Sequence, residues 1–400
     1  MQRILVLSTM CSRAYYDKLS SLRTKPTLDT QQKFMTSIVD GLSSQANVQV
    51  DCISVVPISR TNFPKTCYRG HKEKINGVSY EYVGFLNIPI MKNMSAAHAM
   101  KNAVKRYYKK HKKDDIKVLA DSLTIEVSLS ALWLQKKGIQ ITAIVTDIPL
   151  IAETMGSSGG FHGLYSKLYG KMANFLLLKY DKYVLLSEYM NEIVNPEKKQ
   201  PYMIMECIVD ENLFNGIENK VGKEKGRPSV MYAGKFYREC GILELAKASS
   251  ALKDVCDIWL YGGHGDCDEE LERLAKENSN LKLHGILPLK EILQLEKDCT
   301  LLINPRSGEE EFSKYSFPSK TAEYMMSGTP VLMYKLPSLP DDYLPYVYLI
   351  ENTDLAETIS NILKKEKNVL ETKGRESCSF IIKKKNKMYQ TKRIIDFLSK

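Results

Sequence analysis

The chain has 400 residues, of which 44% are apolar and 26% charged, and its formal net charge is +10. This composition is that of a globular protein and excludes a disordered or fibrous chain. The length favours two domains of roughly 200 residues each, and no uncharged apolar run is long enough to span a membrane.

In the first half, apolar strand patterns alternate with amphipathic helix patterns. The chain opens on Met1-Gln2-Arg3 and passes directly into Ile4–Leu7, a run too short for the core of a signal peptide, so we expect no secretion signal. Strands are predicted at 3–9, 48–56, 80–85, 116–120, 141–146 and 182–186. Helices are predicted at 29–42, 95–112 and 164–179, with a turn-rich stretch at 59–77.

The second half repeats the alternation with shorter strands. Five are predicted, at 230–234, 258–262, 281–285, 301–304 and 331–334, each followed by a turn and a helical stretch or loop. The polar segment 215–227 separates the halves and is typical of a linker. The sequence therefore predicts two α/β domains.

The basic residues are concentrated in the first half, where residues 1–200 hold 28 Lys and Arg against 16 Asp and Glu. The densest run, 101–113, includes Lys105, Arg106, Lys109 and Lys110 beside two tyrosines, a combination that suits an anionic membrane surface. A solvated helix face is the alternative. Nucleic acid is not expected as a partner, because no recognised binding motif accompanies the charge.

The nine cysteines are scattered and odd in number, and no pair has metal-ligand spacing. Reduced thiols and a cytoplasmic location are the simplest interpretation, and we expect no metal site and no bound cofactor.

The most informative segment is 304–332, which combines a strand end, a long polar loop and a predicted helix that begins near Pro318. Proline suits the first turn of a helix, and the free N–H groups there attract anions. Ser319 and Lys320 add a hydroxyl and an ammonium group, so a phosphate is the expected ligand. Glu323, about one turn further on, can accept hydrogen bonds from ribose hydroxyls. A well-capped surface helix is the alternative interpretation.

The stretch Ser316-Phe-Pro-Ser-Lys-Thr-Ala-Glu-Tyr-Met-Met-Ser-Gly-Thr-Pro-Val-Leu332 resembles the donor-binding motif of the family 4 (group 1) retaining glycosyltransferases. Its Phe-Pro-Ser-Lys signature is similar to that of a branch including bacterial surface-polysaccharide enzymes. The segments 180–190, 232–242, 261–265 and 280–288 resemble further landmarks of the family. The resemblance implies the GT-B fold, with two Rossmann-like domains facing across a cleft, and no obligatory metal.

The resemblance also implies domain limits and roles. Residues 1–205 would bind the acceptor, 206–378 the nucleotide sugar, and 379–400 would cross back to the N-terminal domain. The residues assigned to the donor are Gly234, Lys235, Arg238, Ile286, Arg306, Glu311, Ser316, Phe317, Ser319, Lys320 and Glu323.

Within this set, Lys320, Lys235 and Arg238 would stabilise the leaving diphosphate, Arg306 is a third candidate beside Lys235 and Arg238, and Ile286 would lie beside the base. Two positions depart from the family. Tyr315 stands where a glutamate often contacts the donor sugar, so that Glu311 is the substitute candidate, and Cys240 stands where a lysine is usual.

On the acceptor side, Asp147 ends a predicted strand, where α/β proteins gather functional groups. It is followed by the Gly/Ser-rich stretch 156–160 and by His162, which could orient the acceptor or the sugar. An aspartate capping a turn before Pro149 and a structural or solvated histidine are the respective alternatives.

The function predicted from the sequence is transfer of a hexose, with retention, from a nucleoside-diphosphate sugar to a lipid-linked or saccharide acceptor in surface (capsular) polysaccharide synthesis. A UDP-sugar is favoured over a GDP-sugar. The enzyme would be cytoplasmic and peripheral to the inner face of the cell membrane. A non-catalytic GT-B partner subunit and a nucleotide-sugar epimerase are the alternatives.

Overall fold

The computed structural model describes residues 2–24, 30–149, 161–218, 226–263, 265–351 and 354–400, without the side chains of 161–163. The chain divides into two compact units. The first contains Met1–Ile208 and Lys387–Lys400, and the second contains Val209–Asn386. Residues 206–208 thus belong to the first unit and 379–386 to the second.

The first unit is built on an eight-stranded sheet. The strands of this unit are β1 (Gln2–Ser8), β2 (Val48–Ser54), β3 (Cys67–Tyr68), β4 (His71–Ile75), β5 (Val78–Tyr82), β6 (Phe85–Leu86), β7 (Ile116–Asp121), β8 (Ile141–Val145), β9 (Lys182–Leu185) and β10 (Tyr202–Ile204). Of these, β3 and β6 form a separate two-stranded sheet. The order is β10-β9-β8-β7-β1-β2-β5-β4, parallel throughout except for β4. Ile4–Leu7 of β1 are fully buried, as expected of a parallel strand covered on both faces.

The helices of this unit connect the strands. They are α1 (Arg13–Ser21), α2 (Thr30–Ser43), α3 (Met91–Lys110), α4 (Ile125–Gln135), α5 (Phe161–Leu177) and α6 (Glu188–Val194).

The second unit holds a fully parallel six-stranded sheet with the order β13-β12-β11-β14-β15-β16. Its strands are β11 (Ser229–Lys235), β12 (Asp257–Gly263), β13 (Leu281–His284), β14 (Leu301–Asn304), β15 (Val331–Tyr334) and β16 (Tyr348–Ile350). Its helices are α7 (Ile242–Ala248), α8 (Asp268–Glu277), α9 (Leu289–Asp298), α10 (Ser319–Ser327), α11 (Leu355–Leu363) and α12 (Lys367–Lys385). The prediction of two α/β domains with Rossmann-like sheets is confirmed.

The last helix, α13 (Lys387–Ser399), belongs to the first unit. It packs on α2, where the Gln45 side chain donates to the carbonyl of Met388 at 2.8 Å. Its Arg393 donates to the carbonyl of Ile204 at 2.9 Å, at the end of β10. None of the helices in the described ranges is long and apolar enough to cross a membrane. All nine cysteines lie within these ranges, and all are free.

Candidate active site

In the second unit, the strand order reverses between β11 and β14, and the two strands separate before they end. They pair only at Val230–Met231 with Leu301–Leu302. Beyond that point the hydroxyl of Tyr324 accepts from the Ala233 N–H at 2.9 Å and donates to the Ala233 carbonyl at 3.2 Å. A side chain of α10 thus replaces the missing strand pairing. Crevices of this kind, at the carboxyl ends of parallel strands where the order reverses, are the usual ligand sites of open α/β sheets.

Helix α10 begins at this crevice. Its first turn is tied to the end of β14, because the Asn304 amide donates to the Thr321 hydroxyl at 3.1 Å. The helix starts after Pro318, which offers no side-chain cap, and its first turn contains no acidic residue. The Thr321 N–H donates to the Pro318 carbonyl at 2.9 Å, so the N–H groups of Ser319 and Lys320 and the positive end of the helix dipole are left for an anion. Ser319 is exposed at the same turn.

Lys320 and Glu323 form an ion pair on the first turn of α10, with Nζ 2.6 Å from Oε1. Both side chains still reach solvent, with 39% and 20% of their areas exposed. The pair adds little stability by itself, since solvent screens it. The pair instead fixes the geometry of two groups. It holds the Lys320 ammonium group beside the anion-binding turn and the Glu323 carboxylate about one turn further along the helix.

Glu296, on α9, is a buried carboxyl group next to this pair. It is fully buried, and neither oxygen has a hydrogen-bond donor among the described residues. Burial, followed by the nearby charge of Glu323, raises its pKa well above the usual value, against the opposing effect of Lys320. Two adjacent carboxylates cannot both ionise at low cost, so Glu296 carries a proton that it can donate to Glu323.

The sequence analysis missed Glu296, although a signal exists. With Ile292 and Leu293, it occupies the buried face of α9 at helical spacing, where a carboxyl group is out of place.

Arg306 is brought to the crevice by a tight contact between two loops. Gly241 has φ +72°, and a Cβ at this position would overlap the carbonyl of Pro305, lying 2.6 Å from its carbon atom. The turn after β11 therefore lies directly against the chain that leaves β14. Only glycine fits there.

The Arg306 side chain itself is held in place on two sides. Its guanidinium group stacks 4.1 Å from the Phe312 ring centroid, and Nη2 donates to the Ser316 hydroxyl at 3.1 Å. Burial lowers its pKa, but an arginine stays protonated. The Nε–H is buried and has no acceptor among the described residues. The predicted residues Arg306 and Ser316 are thus brought together.

The other two predicted phosphate-binding cations are placed differently. Lys235, the last residue of β11, is exposed, and its Nζ lies 5.4 Å from the Tyr237 ring centroid. Arg238 is exposed and pairs with Glu270 of α8 at 2.8 Å. To reach a phosphate, its side chain must leave that solvent-screened pair. Cys240 supplies no charge in place of the usual lysine, because burial raises the pKa of its thiol.

The remaining predicted donor residues lie around the same sheet edge. Gly234 precedes the last residue of β11 and lies against Gly262, whose φ is +140°. Phe317 is buried against Tyr343 at a centroid distance of 5.4 Å and acts as a packing residue. Glu311 is exposed in a 3₁₀ turn, Glu311–Lys314, and Ile286 is 66% exposed just beyond β13. Both are available to a ligand.

In the first unit, Asp147 follows β8. Its carboxylate accepts the Ile148 N–H at 2.9 Å, and partial burial raises its pKa although the side chain still reaches solvent. His162 lies on α5, but its side chain and the stretch 156–160 are outside the described residues. The acceptor-side roles of Asp147 and His162 stay predictions.

The strand order of the first unit reverses between β1 and β7, and Asp121 ends β7 at that point. It is buried and accepts from the Ser8 hydroxyl at 3.0 Å and from the Gln31 amide at 2.8 and 2.9 Å. Burial raises its pKa. Beside it lies a cavity of about 110 Å³, also lined by Thr9 and Arg23. Asp121 is a second acceptor-side candidate that the sequence analysis missed.

The four candidate membrane contacts lie on the last turns of α3. Arg106 pairs with Glu81 at 2.6 Å, and Lys105 lies 6.0 Å from the Trp133 ring centroid, while Lys109 and Lys110 are exposed. The adjacent Tyr107 points inward and donates to Asp51 at 2.8 Å. In the described ranges, no three His, Cys, Asp or Glu side chains are grouped as metal ligands.

Residues 227–365, within the second unit, match the family model described as Glycosyl transferases group 1. Comparison with curated protein sequences gives no match. Among solved structures, sucrose-phosphate synthase from Thermosynechococcus elongatus is similar, with 14% identity, 100% of this chain and 99% of the other covered, and a TM-score of 0.62.

Two further structures are also similar. An α,α-trehalose 6-phosphate synthase from Burkholderia multivorans has 11% identity, coverage of 100% and 96%, and a TM-score of 0.63. HepE from Anabaena, in complex with UDP, has 14% identity, coverage of 99% for both chains, and a TM-score of 0.58.

These likenesses confirm the predicted GT-B fold. The family match is confined to the second unit.

Proposed function

We propose that this protein is a retaining glycosyltransferase that takes a sugar from a UDP-sugar bound in the crevice between β11 and β14. The observation that carries the proposal is the uncapped first turn of α10, with the Lys320–Glu323 pair, at the point where the strand order reverses. UDP is favoured because similar structures contain it or are described as UDP-forming.

The diphosphate binds to the N–H groups of α10, Ser319 and Lys320, with Arg306 on its other side. Lys235 and Arg238 are additional cations at the turn after β11. Cleavage at the anomeric carbon builds negative charge on the leaving phosphate, and fixed donors stabilise that charge more than they stabilise the bound substrate.

Three further residues recognise the rest of the donor. Glu323 accepts the ribose hydroxyls, while the exposed Ile286 lies beside the base. Glu311, exposed on the 3₁₀ turn, replaces the glutamate that is absent at Tyr315 and contacts the sugar. This last assignment determines which hexose is accepted.

The acceptor is proposed to be a lipid-linked or saccharide hydroxyl, used in surface polysaccharide synthesis at the inner face of the membrane. Asp147 and Asp121 are the acceptor-side candidates. Each follows or ends a parallel strand of the first unit at its carboxyl edge.

Thermal-shift and calorimetric titrations with UDP, GDP, ADP and CMP test the donor site. Lys320→Ala is expected to weaken UDP binding about tenfold to a hundredfold, since it removes one charge-assisted hydrogen bond. Lys282→Ala is the matched control, because Lys282 is similarly exposed and pairs with Asp257 at 2.7 Å in the same unit. That variant should bind UDP like the parent.

If none of the four nucleotides raises the unfolding temperature, the donor site is not functional, and a non-catalytic partner subunit becomes the better hypothesis. Equal losses in the two variants would show that α10 is not the phosphate site. Incubation with UDP-sugars and analysis of the product anomer then distinguish transfer with retention from epimerisation of the donor.

A further inference from the structure

We propose that the first unit binds the surface of an anionic phospholipid bilayer through the outer face of α5. This face carries four large apolar side chains at Leu164, Leu168, Met172 and Phe175, each between 50% and 59% exposed. Their spacing of four, four and three residues places them in one stripe along the helix. Leu178, 40% exposed, follows directly after the helix.

The orientation of α5 is fixed by polar contacts on its opposite face. The Tyr169 hydroxyl donates to Glu126 at 3.0 Å and accepts the Ile125 N–H at 3.1 Å, both on α4. Ala173 and Leu177 are buried on this inner side. The helix therefore cannot turn its outer stripe inward without losing buried hydrogen bonds. Helix α5 is therefore apolar on both faces, and its outer apolar face is a surface that a partner would cover.

The charges around the stripe favour an anionic partner. Residues 161–179 contain Lys167, Lys171 and Lys179 and no acidic residue. All three lysines are exposed. Lys179 Nζ lies 4.2 Å from the Phe175 ring centroid, so its stem follows the apolar surface while its ammonium group remains at the edge. Apolar side chains bordered by lysines are typical of helices that lie in a membrane interface.

The start of α3 extends this surface. The Asn93 amide donates to the hydroxyl of Tyr165, near the start of α5, at 3.2 Å. Met91 and Met94, on the same turn of α3, are 47% and 70% exposed. The apolar surface is thus formed by two helices, which can enter the headgroup region together.

A second copy of the chain is a poorer occupant. In a two-fold dimer the same patch meets itself, so the lysines beside the stripe would approach those of the partner with no acidic residue of α5 to compensate. An anionic bilayer neutralises them, at about 1 kcal/mol per basic residue near the surface.

The proposed surface differs from the membrane contact predicted from the sequence. That contact is the basic end of α3, where Arg106 is already paired with Glu81. The proposal shares with the proposed function only the lipid-linked acceptor, and it holds even if the donor site is inactive.

Co-sedimentation of the full chain with vesicles tests it, using pure phosphatidylcholine and a mixture with phosphatidylglycerol. The parent is expected to bind the mixed vesicles, less strongly at high salt. Leu168→Glu should lower the partition coefficient at least tenfold, since burial of one leucine is lost. Leu22→Glu is the matched control, because Leu22 is 52% exposed at the end of α1, and it should bind like the parent.

Circular dichroism and the thermal unfolding temperature verify the fold of each variant. No binding to mixed vesicles, equal binding to both vesicle types, or equal losses in both variants would overturn the proposal. So would a dimer of the parent in sedimentation velocity that Leu168→Glu abolishes without a change in vesicle binding. Vesicle binding without any nucleotide binding would refute only the proposed function.

Discussion

Replacing Gly241 by alanine is expected to lower the stability of the second unit and to weaken ligand binding at its proposed donor site. Gly241 and Gly328 form a natural comparison, because their φ angles are +72° and +78°. A Cβ at Gly328 meets nothing within 4 Å, whereas at Gly241 it overlaps the Pro305 carbonyl. The two substitutions thus share the backbone strain and differ in the steric overlap.

The magnitudes follow from these contacts. Alanine in the left-handed region costs about 1–2 kcal/mol, which is the whole effect expected for Gly328→Ala. At Gly241, the Pro305 carbonyl carbon must also withdraw by about 1 Å to reach ordinary contact distance. The total should reach about 3 kcal/mol, within the range of overpacked sites. In a unit of this size, each kcal/mol lowers the melting temperature by about 2–4 °C.

Thermal unfolding and UDP calorimetry are the assays. We expect a loss of about 2–8 °C for Gly328→Ala and about 6–12 °C for Gly241→Ala. Because Pro305 precedes Arg306, only Gly241→Ala should weaken UDP binding, by about tenfold for one lost charge-assisted contact. In Gly241→Ala, amide hydrogen exchange should be faster than in the parent in β11 and β14. Equal melting temperatures and equal UDP affinities for the two variants would refute the reasoning.

Three further predictions concern the carboxyl groups of Glu296, Asp121 and Asp147. The raised pKa of Glu296 means that the folded state binds its proton more tightly, so its contribution to stability is complete below the unfolded pKa of about 4.3 and is lost as the pH rises towards the folded value. Glu296→Gln should therefore flatten the pH dependence of the free energy of unfolding, measured in urea, above pH 5. An unchanged pH dependence would contradict a proton on Glu296 that is donated to Glu323. Asp121→Ala should destabilise the first unit by about 1–3 kcal/mol, because it removes the acceptor of the buried Ser8 hydroxyl and of the half-buried Gln31 amide. Asp147→Ala should leave the unfolding free energy within about 0.5 kcal/mol of the parent and lower only turnover, and the reverse pattern would exchange the proposed roles of the two aspartates.

Most strands of both sheets could be predicted because buried parallel strands are continuous apolar runs, whereas the three-residue strands β10 and β16 were missed. The prediction failed where pattern and environment disagree. β4, His71–Ile75, was predicted as part of a turn-rich stretch, since its charged residues belong to an edge strand. α4, Ile125–Gln135, was missed because it has few polar residues to mark an outer face.

In the candidate site, the residues that share one helix turn were accessible from sequence, and those joined across the fold were not. Lys320 and Glu323 are three positions apart, so helix geometry alone brings them together. The contact of Gly241 with Pro305 and that of Tyr324 with Ala233 depend on which strands are neighbours. The same holds for Asp121, because sequence shows that a strand ends but not whether the sheet order reverses there.

The division of the chain has a consequence for the order of folding. The second unit is an insertion, and its ends adjoin, since the Val209 N–H donates to the Lys385 carbonyl at 2.9 Å. Residues 209–386 can therefore fold on the ribosome as soon as they emerge, whereas the first unit also needs α13, which follows the second unit in the chain. A premature stop before α13 would thus spare the second unit and leave α2 and the end of β10 uncovered.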